Sequence, residues 1–386
     1  MSAIWAPPPE PATKLGRHRQ LAPLAGLHVS PIQLGAMSIG DKWSAFGMGA
    51  MDKESSFKLL DAFYEAGGNF IDTANNYQDE SSEEFIGEWM EKRGIRDQIV
   101  IATKYTTNYK RGATIEEIPQ KTQYVGNNMK SLHNSVRDSL KKLRTDYIDI
   151  LYVHWWDYAC GVEEVMDGLH NLVAQGKVLY LGVSDTPAWL VAKANTYARM
   201  AHKTPFVVYQ ASWNIMQRDA ERDILPMCLA EGMALAPFNV LAAGKIRTDA
   251  EEARRAASGE GGRAVFGDWR RTDEQRKVCA ALERVAAEVG ARNITSVAIA
   301  WLMQKAPYVF PIVGGRKVEH MLENLEALEL VLTPEQVKTL DNIVPFEKGY
   351  PFTNFGDGSD YCRLHKSAGH FDRWPPRQAI RPAPKQ

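Results

Sequence analysis

Short runs of β-branched and apolar residues recur along the chain, and most are followed by stretches in which apolar positions return every three or four residues. The runs are IQLGAM (32–37), NFID (69–72), IVIATK (99–104), YIDILYVH (147–154), VLYLGVS (178–184), VVYQ (207–210), MALAPF (233–238) and VFPIV (309–313). Their length and composition read as buried strands. The intervening segments read as helices. SSFKLLDAFYEAGG stops at Gly67-Gly68, and VEEVMDGLHNLVAQG closes on Gly176, both helix-terminating signals. Met129, Leu132, Val136, Leu140 and Leu143 share one helical face. Thr333 precedes Pro334, with Gln336 three residues on, a capping box with proline at the first helical position. Eight strands alternating with helices predict an α/β fold, a closed (β/α)8 TIM barrel, with a doubly wound open sheet as the alternative architecture.

Three segments exceed a minimal barrel. PLAGLHVSPIQLG reads as an N-terminal hairpin leading into the first strand and plugging the barrel floor. Residues 241–273 form a long loop after the seventh strand, and 346–386 form a C-terminal tail rich in Gly, Pro and aromatics, expected to fold over or near the active-site face. The proline-rich residues 1–20 read as a mobile arm, leaving 21–345 as the barrel.

In such a barrel, polar side chains at the carboxyl ends of the strands converge on one face. Asp72 ends the second run and Tyr77 follows in its loop, Lys104 ends the third, and His154 ends the fourth. Each alone has an ordinary structural explanation, as a cap, a solvated charge or a core donor. Together on consecutive strand ends they form an acid, a phenol, an ammonium and an imidazole in one pocket. A phenol titrates near ~10, too high for efficient proton donation at neutral pH. A nearby ammonium favours the phenolate and is expected to lower that value; a carboxylate would keep the ammonium charged and placed. An imidazole alongside can hydrogen-bond and orient a carbonyl oxygen. The set suits protonation of an oxygen whose carbon has received a hydride.

Composition narrows the alternatives. Hydrophobic residues make up 45% and charged residues 24%, enough apolar material for a large core. The formal net charge of -1 argues against nucleic acid or an anionic membrane as partner. The four cysteines lack CxxC spacing, and neither HExxH nor a paired Cys/His pattern occurs, so no metal is expected. No run has signal-peptide or membrane-span length, and the expected compartment is the cytoplasm.

Hydride chemistry calls for a nicotinamide nucleotide. GEGGRA (259–264) matches the spacing of a dinucleotide-binding turn but follows a polar helical segment instead of a strand, and reads as an insertion loop. After the last strand, Gly314-Gly315 lead into a helix start bearing Arg316 and Lys317, a common phosphate-binding position in barrels.

FIDTANNYQDESSEEFIGEWM, IATKY, YVHWWD and FPIVGGRKVEHMLENL, in this order, resemble the aldo-keto reductases over about residues 20–345. The resemblance implies Tyr77 as general acid/base, Lys104 and Asp72 as its tuning pair, and His154 as the carbonyl-orienting group. It also implies NADP(H) extended across the barrel top. Ser184, Asp185 and Gln210 would then face the nicotinamide carboxamide, with Asp185 standing where the family usually has Asn. Phe238 would pack on the nicotinamide ring. Asn239, Leu241, Gly244 and Lys245 would follow the pyrophosphate. Gly314 would also line the cofactor site, Arg316, Lys317 and His320 would meet the adenosine 2'-phosphate, and Glu323 and Asn324 the adenine. The long insertion, VHWWDY and YQASWNIMQRDAERDILPMC are most similar to fungal aryl-alcohol dehydrogenases, implying reduction of aromatic aldehydes such as methoxybenzaldehydes in lignin-derived aromatic metabolism. Trp43, Phe46, Trp155, Trp156 and Trp213 are the candidate substrate-stacking aromatics. A reductase of aromatic polyketide ketones is the alternative activity, and a regulatory subunit like the potassium-channel β subunits is the alternative from outside enzymology.

Overall fold

The computed structural model describes residues 5–46, 48–259 and 267–382; the side chain of Phe46 and most of the GEGGRA segment lie outside the described residues. An antiparallel hairpin, β1 (Arg19–Ala22) and β2 (Ala25–Val29), precedes eight parallel strands. These are β3 (Gln33–Gly35), β4 (Phe70–Asp72), β5 (Val100–Tyr105), β6 (Ile148–Val153), β7 (Val178–Ser184), β8 (Phe206–Ser212), β9 (Ala234–Phe238) and β10 (Ile312–Gly314). They pair in chain order, with β10 returning to β3. The circle closes between β9 and β10 through a single parallel bridge from Leu235 to Val309. Leu235 donates its N–H to Tyr308, and Phe310 donates back to Leu235. Pro311 has no N–H to continue that ladder, so the eighth run splits, and β10 proper starts one residue later.

The outer layer includes α1 (Lys53–Glu65), α2 (Ser81–Arg93), α3 (Met129–Leu143), α4 (Val162–Ala174) and α5 (Ala188–Met200) in the first five crossovers. The expected stops hold: Gly67 and Gly176 adopt positive φ just beyond α1 and α4. On α3, Leu132, Val136 and Leu143 are buried, whereas Met129 in the first turn is exposed. The Thr333/Gln336 capping box opens a helix at Pro334–Asp341.

Strand periodicity divides the core in two. Phe70, Val100, Ala102, Ile150, Tyr152, Val208, Ala234 and Ala236 point into the barrel, and Leu21, Ala22, Ala25 and Val29 of the hairpin close it from one end. The opposite parity, including Ile71, Ile101, Leu151, Val153, Leu181, Val183 and Leu235, packs under the helices. Gly182 is required on the inner face. A Cβ there would meet the Tyr152 ring at 2.5 Å.

Residues 241–273 fold in part as a helix, Asp249–Ser258, capped by Thr248. Glu252 anchors it, accepting from Arg247 at 3.2 Å and from Arg271 at 2.8 Å, all three side chains buried. The tail begins against the loop after β8, with Arg218 and Arg222 over the Phe346 ring, and Arg381 donates to the Leu332 carbonyl near its end.

Candidate active site

One inward step above the apolar stack, the strands become polar. Asp72 follows Phe70, Lys104 follows Ala102, His154 follows Tyr152, and Gln210 follows Val208 at the same period of two. Register aligns Asp72 with Ala102, Lys104 with Tyr152 and Ser184 with Gln210. The Lys104 ammonium is fully enclosed and lies 2.8 and 2.7 Å from Oδ1 and Oδ2 of Asp72, 2.6 Å from the Thr73 carbonyl and 3.5 Å from the Tyr77 hydroxyl. Asp72 also accepts from Gln210 Nε2 at 2.8 Å. Burial alone would push the ammonium down, but Asp72 and then Tyr77 raise it above its ordinary value. The lysine stays charged because its proton donors have partners in place.

Tyr77 follows β4 by five residues and sits half-buried with its ring 5.0 Å from the lysine nitrogen. Its phenol is raised above the ordinary value, first by burial, with Lys104 pulling down and Asp72 and Asp185 adding to the rise. This corrects the expectation of a lowered phenol: the ammonium's charge is largely neutralised by Asp72 at closer range, so desolvation prevails. A raised value keeps the phenol protonated, the form a proton donor needs.

The chain reverses after Tyr77 through three consecutive non-glycine residues at positive φ, Gln78 (53°), Asp79 (46°) and Glu80 (83°). Left-handed backbone of this kind costs ~1–2 kcal/mol per residue. Each side chain is anchored. The buried Gln78 amide donates to Met37 O at 2.9 Å and Gly49 O at 2.7 Å, and accepts from Trp43 N–H at 2.9 Å. Asp79 pairs with Arg111 at 2.9 Å and Glu80 with Lys110 at 2.6 Å. Lys142, also buried, pairs with Glu83 at 2.7 Å and donates to the Asn75 carbonyl at 3.0 Å, holding the Tyr77 loop from behind. Gln78 and Lys142 carry no sequence signal for this role, since both depend on how separate loops meet.

His154 lies edge-on to Tyr77, with ring centroids 6.0 Å apart at 76°. Burial, aided by Lys104, lowers the imidazolium to about 3, so the ring is neutral across the physiological range. Trp43 forms a second edge contact with Tyr77, at 6.2 Å and 71°. Trp155 joins His154 through Thr107, to which the indole N–H donates at 3.0 Å. The other two tryptophans go elsewhere. Trp156 belongs to the apolar core, and Trp213 is fully buried, donating to Glu221 at 3.0 Å and packing on Trp301 at 6.2 Å. Trp213 is therefore corrected from pocket residue to core residue; its side chain turns between strand and helix, where Glu221 satisfies the indole.

The residues expected along the nucleotide lie at or just beyond the carboxyl ends of β7, β8, β9 and β10. Ser184 is buried, and Asp185 stands at the mouth with φ of 40° and a carboxyl raised to about 6 by desolvation, which Lys104 opposes. Phe238 is half-buried beside the inner stack. Asn239, Ala242, Ala243 and Gly244 all adopt positive φ, and the Leu241–Lys245 segment curls into a tight turn closed by its own backbone: Ala242 N–H donates to Asn239 O at 2.8 Å, Gly244 N–H to Leu241 O at 2.9 Å and Lys245 N–H to Ala242 O at 3.0 Å. Arg255 of the inserted helix approaches this turn, its Nη1 4.0 Å from the position of a Gly244 Cβ, and its buried Nε has no hydrogen-bond partner among the described residues. Beyond the exposed Gly314, Arg316, Lys317 and His320 are exposed, and neither Arg316 nor Lys317 forms an ion pair among the described residues. Glu323 is exposed. Asn324 is buried and accepts from Thr295 at 3.0 Å. Unpaired cations at one end, a curled backbone turn in the middle and amide and carboxyl groups at the other fit a nicotinamide dinucleotide phosphate.

A parallel eight-stranded barrel with a phenol, an ammonium, a carboxylate and an imidazole at its strand ends defines a barrel oxidoreductase. Residues 31–345 match the Aldo/keto reductase family, and the chain belongs to it. As a member it is an enzyme that works with NADP(H). It is 74% identical to the aryl-alcohol dehydrogenase [NADP(+)] of Phanerodontia chrysosporium over 98% of this chain and 99% of the relative. It is 52% identical to norsolorinic acid reductase A of Aspergillus parasiticus over 89% and 85% of the two chains. It is 51% identical to aldo-keto reductase ausK of Emericella nidulans over 92% and 88%.

Proposed function

We propose that the protein reduces aromatic aldehydes of the benzaldehyde type, methoxybenzaldehydes among them, to aryl alcohols, reversibly and with NADPH. The observation that carries this reading is the aromatic wall at the proton donor: Trp43 edge-on to Tyr77, with Trp155 held beside His154. A flat ring with its carbonyl at Tyr77 gains from such a wall. The name of the 74% identical relative supports the same class of substrate.

Bound NADPH supplies a hydride to the carbonyl carbon. The protein's residues do the rest. Tyr77 gives its hydroxyl proton to the carbonyl oxygen as negative charge develops there. Lys104, charged and 3.5 Å away, stabilises the phenolate left behind, and Asp72 holds Lys104. Neutral His154 orients the oxygen by hydrogen bond. Ser184, Asp185 and Gln210 would seat the carboxamide, the 239–245 turn and Lys245 would take the pyrophosphate, and Arg316, Lys317 and His320 would take the 2'-phosphate.

NADPH oxidation followed by absorbance against benzaldehydes, aliphatic aldehydes and aromatic ketones tests the reading. Fast turnover confined to benzaldehydes supports it. Turnover confined to aromatic ketones replaces it with the ketone-reductase reading, which the similarity to norsolorinic acid reductase A favours. Tight NADPH binding with no turnover on any of them points to a regulatory subunit. Among the described residues no helix is long and apolar enough to cross a membrane. The setting proposed for the reaction, the cytoplasmic metabolism of lignin-derived aromatics, follows from the proposed substrate class.

A further inference from the structure

The Thr107 hydroxyl oxygen lies 3.2 Å from His154 Nδ1 and 3.0 Å from Trp155 Nε1. An indole N–H can only donate, so Trp155 occupies an acceptor position on Thr107. That leaves the hydroxyl proton to place. Among the described residues the Thr107 side chain has no other hydrogen-bond partner, so the one protein acceptor for its proton is His154 Nδ1. An unprotonated Nδ1 in a neutral ring means that Nε2 carries the hydrogen. The reverse arrangement, with Nδ1–H donating to Thr107, would leave the hydroxyl proton without a protein acceptor and turn Nε2 into an acceptor, unable to donate to a carbonyl oxygen.

We propose that Thr107 is a positioning residue that sets the His154 tautomer, and that Trp155 fixes the direction in which the Thr107 hydroxyl donates. The relay Trp155 N–H to Thr107 O–H to His154 Nδ1 presents Nε2–H toward the substrate oxygen. Trp155 thus acts through its nitrogen on the histidine, in addition to any stacking by its face. The inference rests on the proposed role of His154, but not on the substrate class.

Long-range proton–nitrogen NMR of protein with 15N-labelled histidine reads the tautomer without any substrate, with a His154→Gln variant assigning the signal. The wild-type ring is expected as the Nε2–H form; an Nδ1–H ring would overturn the proposal whatever the aldehyde assay gives. Thr107→Val keeps the shape and removes the hydroxyl. It should shift the ring to a mixture of tautomers and lower kcat roughly tenfold, the loss of one neutral hydrogen bond, with the NADPH dissociation constant unchanged. Thr107→Ser should restore both tautomer and rate. If Thr107→Val leaves tautomer and kcat as in wild type, or if Thr107→Ser behaves like Thr107→Val, the relay is wrong. Failure of the aldehyde panel would instead strike the proposed substrate and leave the tautomer result standing.

Discussion

Gln210 donates from Nε2 to Oδ1 of Asp72 across 2.8 Å, tying the end of β8 to the end of β4 through the barrel interior. The bond takes one of the two amide N–H groups, and we propose Oε1 as the acceptor for a carboxamide N–H. The residue proposed to read the nicotinamide is thereby fixed by the group that holds Lys104. Gln210→Leu removes both contacts and should weaken NADPH binding roughly tenfold in a fluorescence titration. Gln210→Glu should weaken it further by setting a second carboxylate against Asp72. Equal binding by all three proteins would show that Oε1 does not face the cofactor.

Tyr77→Phe deletes the proton donor and little else, since the ring contacts with Trp43 and His154 remain. General acid catalysis is worth ~10²–10⁴ in rate, so kcat for aldehyde reduction should fall by about that factor while NADPH still binds. A variant retaining most of its activity would remove Tyr77 from the mechanism.

The pH behaviour follows from His154 at about 3, Tyr77 above its ordinary value and Asp185 at about 6. Neither His154 nor Tyr77 changes charge between pH 5 and 9, roughly the working range. A change in NADPH affinity near pH 6 is expected from ionisation of Asp185, and should vanish in Asp185→Asn. Stability carries the His154 signature. Its folded value is depressed below ~6.5, so below that pH the unfolded chain binds the proton that the folded chain refuses, and stability falls as pH drops toward 3. Urea midpoints at pH 7 and pH 5 should therefore separate more for wild type than for His154→Gln.

The turn after Tyr77 makes a sharper distinction. Asp79→Gly relieves a φ of 46° and loses one partly exposed ion pair, worth ~0–1 kcal/mol, so stability should hold or rise. Gln78→Gly relieves a similar φ but strands Met37 O, Gly49 O and Trp43 N–H, at ~1–3 kcal/mol for each buried group left unpaired. It should destabilise by at least ~2 kcal/mol in urea unfolding and also depress kcat, because Gln78 joins the Trp43 loop to Tyr77. Equal effects of the two glycines would mean that the amide clamp contributes nothing.

Much of this site can be read from the chain because strands keep a strict period. Asp72, Lys104 and His154 are each two residues beyond an inward apolar position, so strand ends and alternation suffice to bring them together. Tyr77 is readable only through its spacing from Asp72. Thr107, Gln78 and Lys142 are not readable, since their partners lie on other loops and nothing local marks a threonine that meets an indole and an imidazole at once. Trp213 shows the opposite failure. An aromatic just past a strand end looks the same whether it turns into the pocket or under a helix, and here Glu221, eight residues on, decides for the core. The direction of the phenol's shift is hidden for a different reason: charge sign is visible in sequence, but the balance between a neutralised ammonium and burial is not.

Arg316 offers the test of nucleotide choice. It is exposed just before the helix at Val318–Asn324, with its Cδ 3.5 Å from the position of a Gly49 Cβ, so the side chain lies over the first βα loop instead of trailing into solvent. A guanidinium without an ion-pair partner among the described residues is suited to a phosphate monoester, which takes a bidentate charge-assisted bond worth ~1.5–3 kcal/mol. Arg316→Ala should then raise the dissociation constant for NADPH roughly 10–100-fold and leave that for NADH unchanged, since NADH lacks the 2'-phosphate. Arg316→Lys keeps the charge but not the fork, and should fall between. Lys317→Ala gives the control: a loss comparable to that of Arg316→Ala would divide the phosphate between the two cations, while an equal loss for both nucleotides in either variant would place that residue against the shared part of the cofactor.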